Sequence, residues 1–238
     1  PYLSRGLGDV YKRQGYVGLV TGVGLASLGN NINFLDLDEN KIQNLSNKKI
    51  TFYEPGLEEY FNDDETFSRM FFSSDYASIE WQNIDIVFVC VQTPNNLETN
   101  SVDTNFLESA IKEINNVNND DLVITIKSTI PPYEIEKVCE KVGMDSSKLT
   151  FNPEFLREGT AVEDFFKPDR IVLGGTNNEK LNKLKELYTD FDCEIITTDS
   201  ISSQLIKYLA NTYLPLRLSF VNEATRLIDY SGGNLDDV

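Results

Sequence analysis

Histidine is absent from this sequence of 238 residues, and cysteine occurs only three times. Without histidine, acid–base chemistry must come from carboxylates, lysine or an activated water, and a zinc site would lack its commonest ligand. Cys90, Cys139 and Cys193 are odd in number and widely spaced, which is atypical of both a disulfide framework and a metal cluster. We therefore expect three reduced thiols and no metal site.

Long hydrophobic runs are also missing, and positive charge is scarce. No stretch approaches the roughly 20 apolar residues of a membrane span, and no signal-peptide pattern opens the sequence. There are 21 basic and 38 acidic residues, a formal net charge of -17, which repels nucleic acid and anionic membranes at long range. We expect a cytoplasmic protein without nucleic-acid or membrane partners, in which local groups hold any anionic ligand.

Three nearly continuous apolar runs predict strands that are buried on both faces, as in a parallel sheet. They cover residues 84–91, 122–126 and 149–151. Polar residues follow each run, and ligands bind at the carboxyl edge of an open α/β sheet. We therefore expect Thr93, Thr129 and Glu154 to lie in one crevice. Capping of the following helix or turn is the alternative for the two threonines.

Glycines near the amino terminus indicate a dinucleotide-binding turn. Gly15-Tyr16-Val17-Gly18 opens an apolar helical pattern that runs to Leu28, and the small residue Gly22 would let this helix lie close against a strand. A short strand then ends in Asp36. The turn suits a pyrophosphate, the helix N-terminus suits its charge, and the acid suits the ribose hydroxyls. Because Asp36 would repel a 2′-phosphate, the pattern favours NAD over NADP.

The predicted fold is thus α/β, a doubly wound, mostly parallel Rossmann-like sheet. The start of this sheet departs from the pattern in two ways. Arg13 stands where the full glycine motif needs a glycine, and residues 9–14 include only two apolar side chains, which is atypical of a central strand. We expect residues 1–14 to be foreign or to replace the true start. Residues 15–199 would form the NAD-binding domain, and residues 200–238 a long helix and the start of a further, truncated domain.

That long helix is predicted from Ser200 to Tyr230, with Pro215 as a kink. A helix of this length usually joins two domains or forms a dimer contact. Lys207 and Asn211 lie four residues apart and share one face. A lysine in such a helix is normally solvated, so a functional role needs further support.

The stretch 152–160 combines two carboxylates, Glu154 and Glu158, with the guanidinium of Arg157. Acid–base chemistry needs charged groups held in a partly dry pocket, because desolvation and neighbouring charges shift a carboxylate's pKa. A capped helix start explains the same residues equally well, with Asn152 as the N-cap and Pro153 as the first helical residue.

Together these stretches resemble the UDP-glucose dehydrogenase family, within the UDP-glucose/GDP-mannose dehydrogenases. The resemblance runs from Gly15 to Val238, and residues 152–159 are its most specific part. The other matching stretches are 15–19, Asp36, the turn Glu54-Pro55-Gly56-Leu57, 93–94, 127–129, 168–170, 207–211 and 222–223.

The resemblance implies an enzyme that oxidises the primary alcohol of a nucleotide sugar, most closely UDP-glucose, to a carboxylate with two NAD molecules in succession. A cysteine traps the intermediate aldehyde, a second hydride leaves, and water cleaves the thioester. A homodimer is implied for the full-length protein. In this family the cysteine lies in a glycine-rich loop that would follow Val238, so we expect the present chain to bind NAD without turning over.

The resemblance also implies roles for individual residues. Glu154 would be the base for the hydrolytic water, Thr129 would help to hold that water, and a lysine and an amide would steady the oxyanion. The implied catalytic residues are Glu154, Thr129, Lys207, Asn211 and Glu158. The implied cofactor contacts are Gly15, Tyr16, Val17, Gly18, Asp36, Lys41, Thr93, Thr129 and Glu158, and the implied substrate contacts are Glu154, Phe155, Leu156, Arg157, Lys207 and Asn211.

One departure from the family is Tyr133, which follows Pro131-Pro132 where the family has a glycine. Two other functions stay open at this point. A hydroxyacid dehydrogenase with the same sheet would use one lysine and one NAD per turnover, but it gives no role to residues 154–158. A non-catalytic NAD-binding or assembly module would need no cysteine.

Overall fold

The computed structural model describes residues 4–5, 16–96 and 101–238. Its strands are β1 (Ser4–Arg5), β2 (Asn31–Leu35), β3 (Met70–Ser73), β4 (Ile86–Val89), β5 (Asn95–Asn96), β6 (Ser101–Val102), β7 (Val123–Ile126), β8 (Leu149–Phe151), β9 (Arg170–Gly175) and β10 (Glu194–Thr198). β5 and β6 form a separate antiparallel pair, and the other eight form one sheet in the order β10-β9-β8-β7-β4-β1-β2-β3.

The helices cover both faces of this sheet. They are α1 (Tyr16–Ser27), α2 (Glu39–Ser46), α3 (Leu57–Asn62), α4 (Asp64–Ser68), α5 (Asn105–Asn115), α6 (Pro132–Val142), α7 (Ala161–Phe166), α8 (Asn178–Glu186) and α9 (Ser200–Ser231). Alternate residues of β4 point to opposite sides, since Ile86 and Phe88 pack in one buried cluster and Val87 and Val89 in the other. The predicted α/β architecture with strands buried on both faces is confirmed.

In the eight-stranded sheet, all neighbouring strands from β3 across to β8 are parallel to each other. Three of these strands end at the same level. Val89 of β4 pairs with Ile126 of β7, which pairs with Phe151 of β8. The residues that follow these strands therefore share one edge of the sheet, as the sequence predicted. β9 lies antiparallel to β8, and β10 is parallel to β9. This reversal of the last two strands was not predicted.

The helix after the glycine turn begins at Tyr16 and ends at Ser27, close to the predicted bounds. Gly29 has a φ of +90° and stops the helix in the left-handed region, where a residue without Cβ is favoured. A Cβ on Gly22 would lie 2.4 Å from the Phe34 ring of β2. The predicted close approach of helix to strand is confirmed.

The central position of the sheet, between β4 and β2, is taken by the two-residue strand β1. The segment 9–14, which we judged to be a poor strand, and Gly15 lie outside the described residues.

The last helix, α9, has 32 residues. Asp199 caps its start, and Gly232, whose φ is +73°, caps its end. Its predicted length and end are confirmed, and the helix continues through Pro215. Near its start it buries Ser203, Gln204 and Lys207, whereas within the described stretch 211–231 no residue is buried. Within the described ranges, none of the helices combines the length and the apolar character that crossing a lipid bilayer requires.

The packing of α9 against the sheet depends on a glycine of β9. A Cβ on Gly174 would lie 2.0 Å from the Ser203 hydroxyl and 3.0 Å from the Asp199 carbonyl oxygen. Because Ser203 is fully buried, it has no free space to move into. Gly174 therefore allows the close approach of α9 that places Lys207, one turn further along, over the carboxyl edge of β8.

We expect Gly174→Ala to displace α9 and to lower the free energy of unfolding by about 1–3 kcal/mol, the usual cost of overpacking. Gly175→Ala is the matched control, because its Cβ would meet nothing closer than a leucine methyl at 3.3 Å. Chemical denaturation of both variants measures the difference. Equal destabilisation by the two substitutions would contradict the role of Gly174.

Candidate active site

The stretch 152–158 is an extended loop after β8, and α7 begins only at Ala161 with Thr160 as its cap residue. The interpretation of Asn152 and Pro153 as a helix start is therefore wrong. Asn152 instead anchors the loop to the sheet, because its side-chain NH2 donates to the Val172 carbonyl at 3.0 Å.

Glu154 and Lys207 form an ion pair at this loop. The Lys207 Nζ lies 2.9 Å from Glu154 Oε1, and only 7% and 13% of the two side chains are exposed. The second carboxylate oxygen accepts the N–H of Leu156 at 2.7 Å. Lys207 is thus not a solvated helix residue. A buried ion pair of this kind costs desolvation, and removing either partner leaves an uncompensated charge.

The ring of Phe155 lies close to two cations. Its centroid is 5.2 Å from Lys207 Nζ and 4.6 Å from the Arg170 guanidinium. Both distances fall in the range of cation–π attraction. Arg170 reaches this edge because β9 is antiparallel to β8, so that β9 starts where β8 ends. The sequence marked Arg170 as part of a matching stretch but gave it no role.

A second buried lysine, Lys127, lies near the ion pair. Its Nζ donates to Asn152 Oδ1 at 3.0 Å, and the Tyr188 hydroxyl donates to the same oxygen at 2.7 Å. Burial holds the pKa of Lys127 below its usual value, and the charge of Glu154 acts in the opposite direction. The sequence marked Lys127 as part of a matching stretch after the predicted strand 122–126 but gave it no role.

These groups line a cavity of about 610 Å³ between the loop, the start of β9 and one face of α9. Glu154, Lys207 and Asn211 all lie on its wall, as do Lys127 and Arg170. The substrate contacts inferred at 154–157 line it as well. The wall also includes Arg157, Lys167, Glu163, Asp164 and Asp169. In this partly enclosed space a negative charge beside Lys127, Arg170 and Lys207 would be stabilised.

Arg157 is held at the cavity rim by Asp164. Its Nη2 and Nε donate to the two carboxylate oxygens at 2.6 and 3.1 Å, and its backbone N–H donates at 2.8 Å. These hydrogen bonds keep the pKa of Asp164 below its usual range. Arg157 is largely exposed, so its guanidinium is a rim group.

Asp36 and Lys41, both inferred cofactor contacts, lie together at the end of β2. The carboxylate is buried and forms an ion pair with the Lys41 ammonium. Burial raises the pKa of Asp36, and Lys41 opposes that shift. The first turn of α1, which holds Tyr16, Val17 and Gly18, contains no acid. A carboxylate beside such a helix start fits the ribose and pyrophosphate of NAD.

Tyr16 connects this end of the site to the loop after β8. Its hydroxyl donates to the Leu156 carbonyl at 3.3 Å. Burial raises the pKa of its phenol, and the nearby carboxylates of Glu154 and Glu158 raise it further. Glu158 itself is exposed. Among the described residues, the cavity wall does not include it.

The two threonines lie beside each other, since the Thr93 hydroxyl donates to the Thr129 carbonyl at 2.6 Å. Neither is among the described residues of the cavity wall. The two threonines thus lie together at this edge of the sheet, and a crevice shared with Glu154 stays a prediction. Thr129 does not cap the following helix, because Pro131 stands at the cap position of α6.

The cysteines of this chain are poorly placed as nucleophiles. Cys90 and Cys139 are buried, and burial raises the pKa of Cys139 to about 11. Burial also raises the pKa of Cys193. A thiol is a nucleophile only as the thiolate, which these surroundings disfavour. Within the described part of the cavity wall there is no cysteine.

The sequence model of the UDP-glucose/GDP-mannose dehydrogenase family, NAD binding domain, matches residues 13–192. The chain belongs to this family. It carries the family's NAD-binding domain, so its cofactor is NAD. The resemblance inferred from the sequence motifs is therefore confirmed.

Curated relatives agree with this assignment. UDP-glucose 6-dehydrogenase from Rickettsia felis is 38% identical over 229 residues, which are 94% of this chain and 51% of the relative. A UDP-glucose 6-dehydrogenase from Bacillus subtilis is 34% identical over 229 residues, 94% of this chain and 49% of the relative. The chain thus spans about half the length of the curated relatives it matches.

Solved structures show the same fold. A UDP-glucose dehydrogenase from Pyrobaculum islandicum superimposes with a TM-score of 0.86 at 31% identity, covering 99% of this chain and 55% of the other. A GDP-mannose dehydrogenase from Pseudomonas aeruginosa gives a TM-score of 0.84 at 24% identity, covering 98% and 55%. At that lower identity the likeness concerns the fold alone.

Because the pKa of Asp164 is lowered, we expect the contribution of the Arg157–Asp164 pair to stability to depend on pH. A carboxyl with a depressed pKa in the folded state stabilises the fold above its unfolded pKa of about 4, and this contribution disappears as pH falls through the folded pKa. Asp164→Asn should therefore unfold at a lower temperature than the wild type at pH 7. The difference should shrink below about pH 4.

Thermal unfolding between pH 7 and pH 3 measures this trend. The exposed Asp190→Asn serves as the control, since Asp190 makes no ion pair within the described residues. A pH-independent difference between Asp164→Asn and the wild type would exclude the ionised carboxylate as the cause.

Proposed function

We propose that this chain forms the NAD-binding and hydrolytic part of an enzyme that oxidises UDP-glucose to UDP-glucuronate. The observation that carries the proposal is the Glu154–Lys207 ion pair in the cavity at the carboxyl edge of β8. The relatives named UDP-glucose 6-dehydrogenase support the choice of substrate. A single-step hydroxyacid dehydrogenase would have no use for a base at Glu154.

The chemistry needs two hydride acceptors and one hydrolysis. NAD, when bound, accepts the hydrides. Between the two oxidations a cysteine thiol adds to the aldehyde, and loss of the second hydride leaves a thioester. Glu154 then takes a proton from water while the water oxygen attacks the thioester carbonyl and the thiolate leaves. Lys207 and Asn211 donate hydrogen bonds to the oxyanion that develops on that carbonyl.

We infer that the cysteine of this scheme is none of the three described above, because none of them is on the described part of the cavity wall and burial raises the pKa of Cys139 and Cys193. Thr129 helps to hold the hydrolytic water and, with Thr93, contacts the cofactor, and Glu158 is a supporting group near the cofactor or Lys207. In this scheme residues 15–199 act as the NAD-binding domain, and residues 200–238 connect it to the rest of the protein. The whole enzyme would act in the cytoplasm.

We also propose that the full-length protein is a homodimer that uses the outer half of α9. Apolar side chains on this half are more than half exposed, although water disfavours such a surface. They include Tyr213, Leu214, Phe220 and Leu227. A second copy of the helix would cover them.

The cofactor assignment is tested by calorimetry on the chain itself. NAD should bind, and NADP should bind at least tenfold more weakly, because the Asp36 carboxylate repels a 2′-phosphate. Asp36→Asn should weaken NAD binding by about tenfold and reduce the preference over NADP. The exposed Asp38→Asn is the neighbouring control. Absence of NAD binding, or equal affinity for the two cofactors, would contradict the assignment.

The hydrolytic role is tested in the full-length enzyme. Glu154→Gln should still allow the two hydride transfers, seen as a rapid burst of NADH. It should then accumulate the thioester, because the amide cannot take the proton from water, and steady-state turnover should fall by about 10²- to 10⁴-fold. Glu186→Gln, at an exposed position of α8, should turn over like the wild type. Unchanged turnover of Glu154→Gln would refute the role.

A further inference from the structure

The turn Glu54-Pro55-Gly56-Leu57 contributes nothing to the chemistry proposed above, yet it contacts the active-site loop. The Glu54 side chain is buried, with 5% of the residue exposed. Its Oε2 accepts the N–H of Gly159 at 2.9 Å, and its Oε1 accepts the N–H of Ala161 at 2.8 Å. More than a hundred residues separate the carboxylate from these two amides.

The turn itself is rigid. The Leu57 N–H donates to the Glu54 carbonyl at 3.1 Å, and Gly56 has a φ of +80°, which favours glycine. The Leu57 side chain is buried in the core. A Cβ on Gly56 would already lie 3.6 Å from Val162 of α7. The carboxylate of Glu54 is therefore presented from a fixed backbone that packs directly against the far end of the active-site loop.

The loop is held at both ends by these contacts. At its start, Asn152 bonds to Val172, Lys127 and Tyr188. At its end, the two amides on either side of Thr160 bond to a single carboxylate. Glu154 lies between the two anchors. Hydrogen bonds from N–H groups to an ionised carboxylate are stronger than those to a neutral acceptor, so the second anchor resists displacement.

We propose that Glu54 is a positioning residue for the active site, whose carboxylate fixes the end of the loop so that Glu154 meets Lys207. The catalytic part of this inference rests on the proposed function, but the anchoring does not. A geometric role of this kind requires both oxygens as acceptors. Glutamine keeps the shape but offers one oxygen and one NH2, which would face a backbone N–H donor.

Hydrogen exchange on the chain as given tests the anchoring. The amides of Gly159 and Ala161 should exchange slowly in the wild type and at least about tenfold faster in Glu54→Gln. The β9 amides should keep their protection, which shows an intact sheet. Glu58→Gln, on the exposed side of α3, is the matched control. Unchanged exchange at Gly159 and Ala161 in Glu54→Gln would overturn the proposal, whatever the fate of the proposed function.

Kinetics of the full-length enzyme then separate positioning from general loss of structure. In Glu54→Gln, kcat for the nucleotide sugar should fall by about tenfold or more, because misplacing a catalytic group by a small distance has a large effect on rate. The NAD dissociation constant should change less than twofold. If the fall in kcat is matched by a similar rise in the NAD dissociation constant, or if kcat stays at the wild-type value, Glu54 has no positioning role.

Discussion

The ion pair between Glu154 and Lys207 joins two parts of the chain that meet only in the folded protein. Its carboxylate comes from the loop after β8, and its ammonium from the first turns of α9. Because both groups lose water on burial, each needs the other at hydrogen-bond distance. The close contact of α9 with Gly174, the anchors at Asn152 and the ring of Phe155 all serve to meet that requirement.

The local charge of the site is opposite to that of the chain. With a net charge of -17, the molecule repels anions at a distance. The described wall of the cavity nevertheless carries five cationic side chains against four carboxylates, and Lys127, Arg170 and Lys207 are three of these cations. Desolvated cations act strongly over short distances and weakly over long ones. The site can therefore hold an anionic ligand that the rest of the surface does not attract.

Local patterns in the sequence were sufficient for the strands, the long helix and the shared edge of the sheet. Apolar runs predict buried strands, and parallel strands end on one side whatever their exact order. The antiparallel direction of β9, the burial of Lys127 and the bonds from Glu54 to the loop were not predictable in this way. Each depends on contacts between residues far apart in the chain, which no short window contains. The helix interpretation of 152–160 failed because tertiary anchoring overrode a good capping pattern.

The reversal of β9 and β10 also determines where α9 can point. Since β10 ends level with Gly174, the helix must turn back toward the carboxyl edge of the sheet to bring its lysine to the loop. The spacing of four residues between Ser203 and Lys207 then determines which side of the helix carries the lysine toward the loop. One inserted residue there would rotate the ammonium by about 100° and swing it away from the loop. The cavity wall extends along the helix as far as Leu214, so about the first four turns of α9 are under this geometric constraint and the later turns are not.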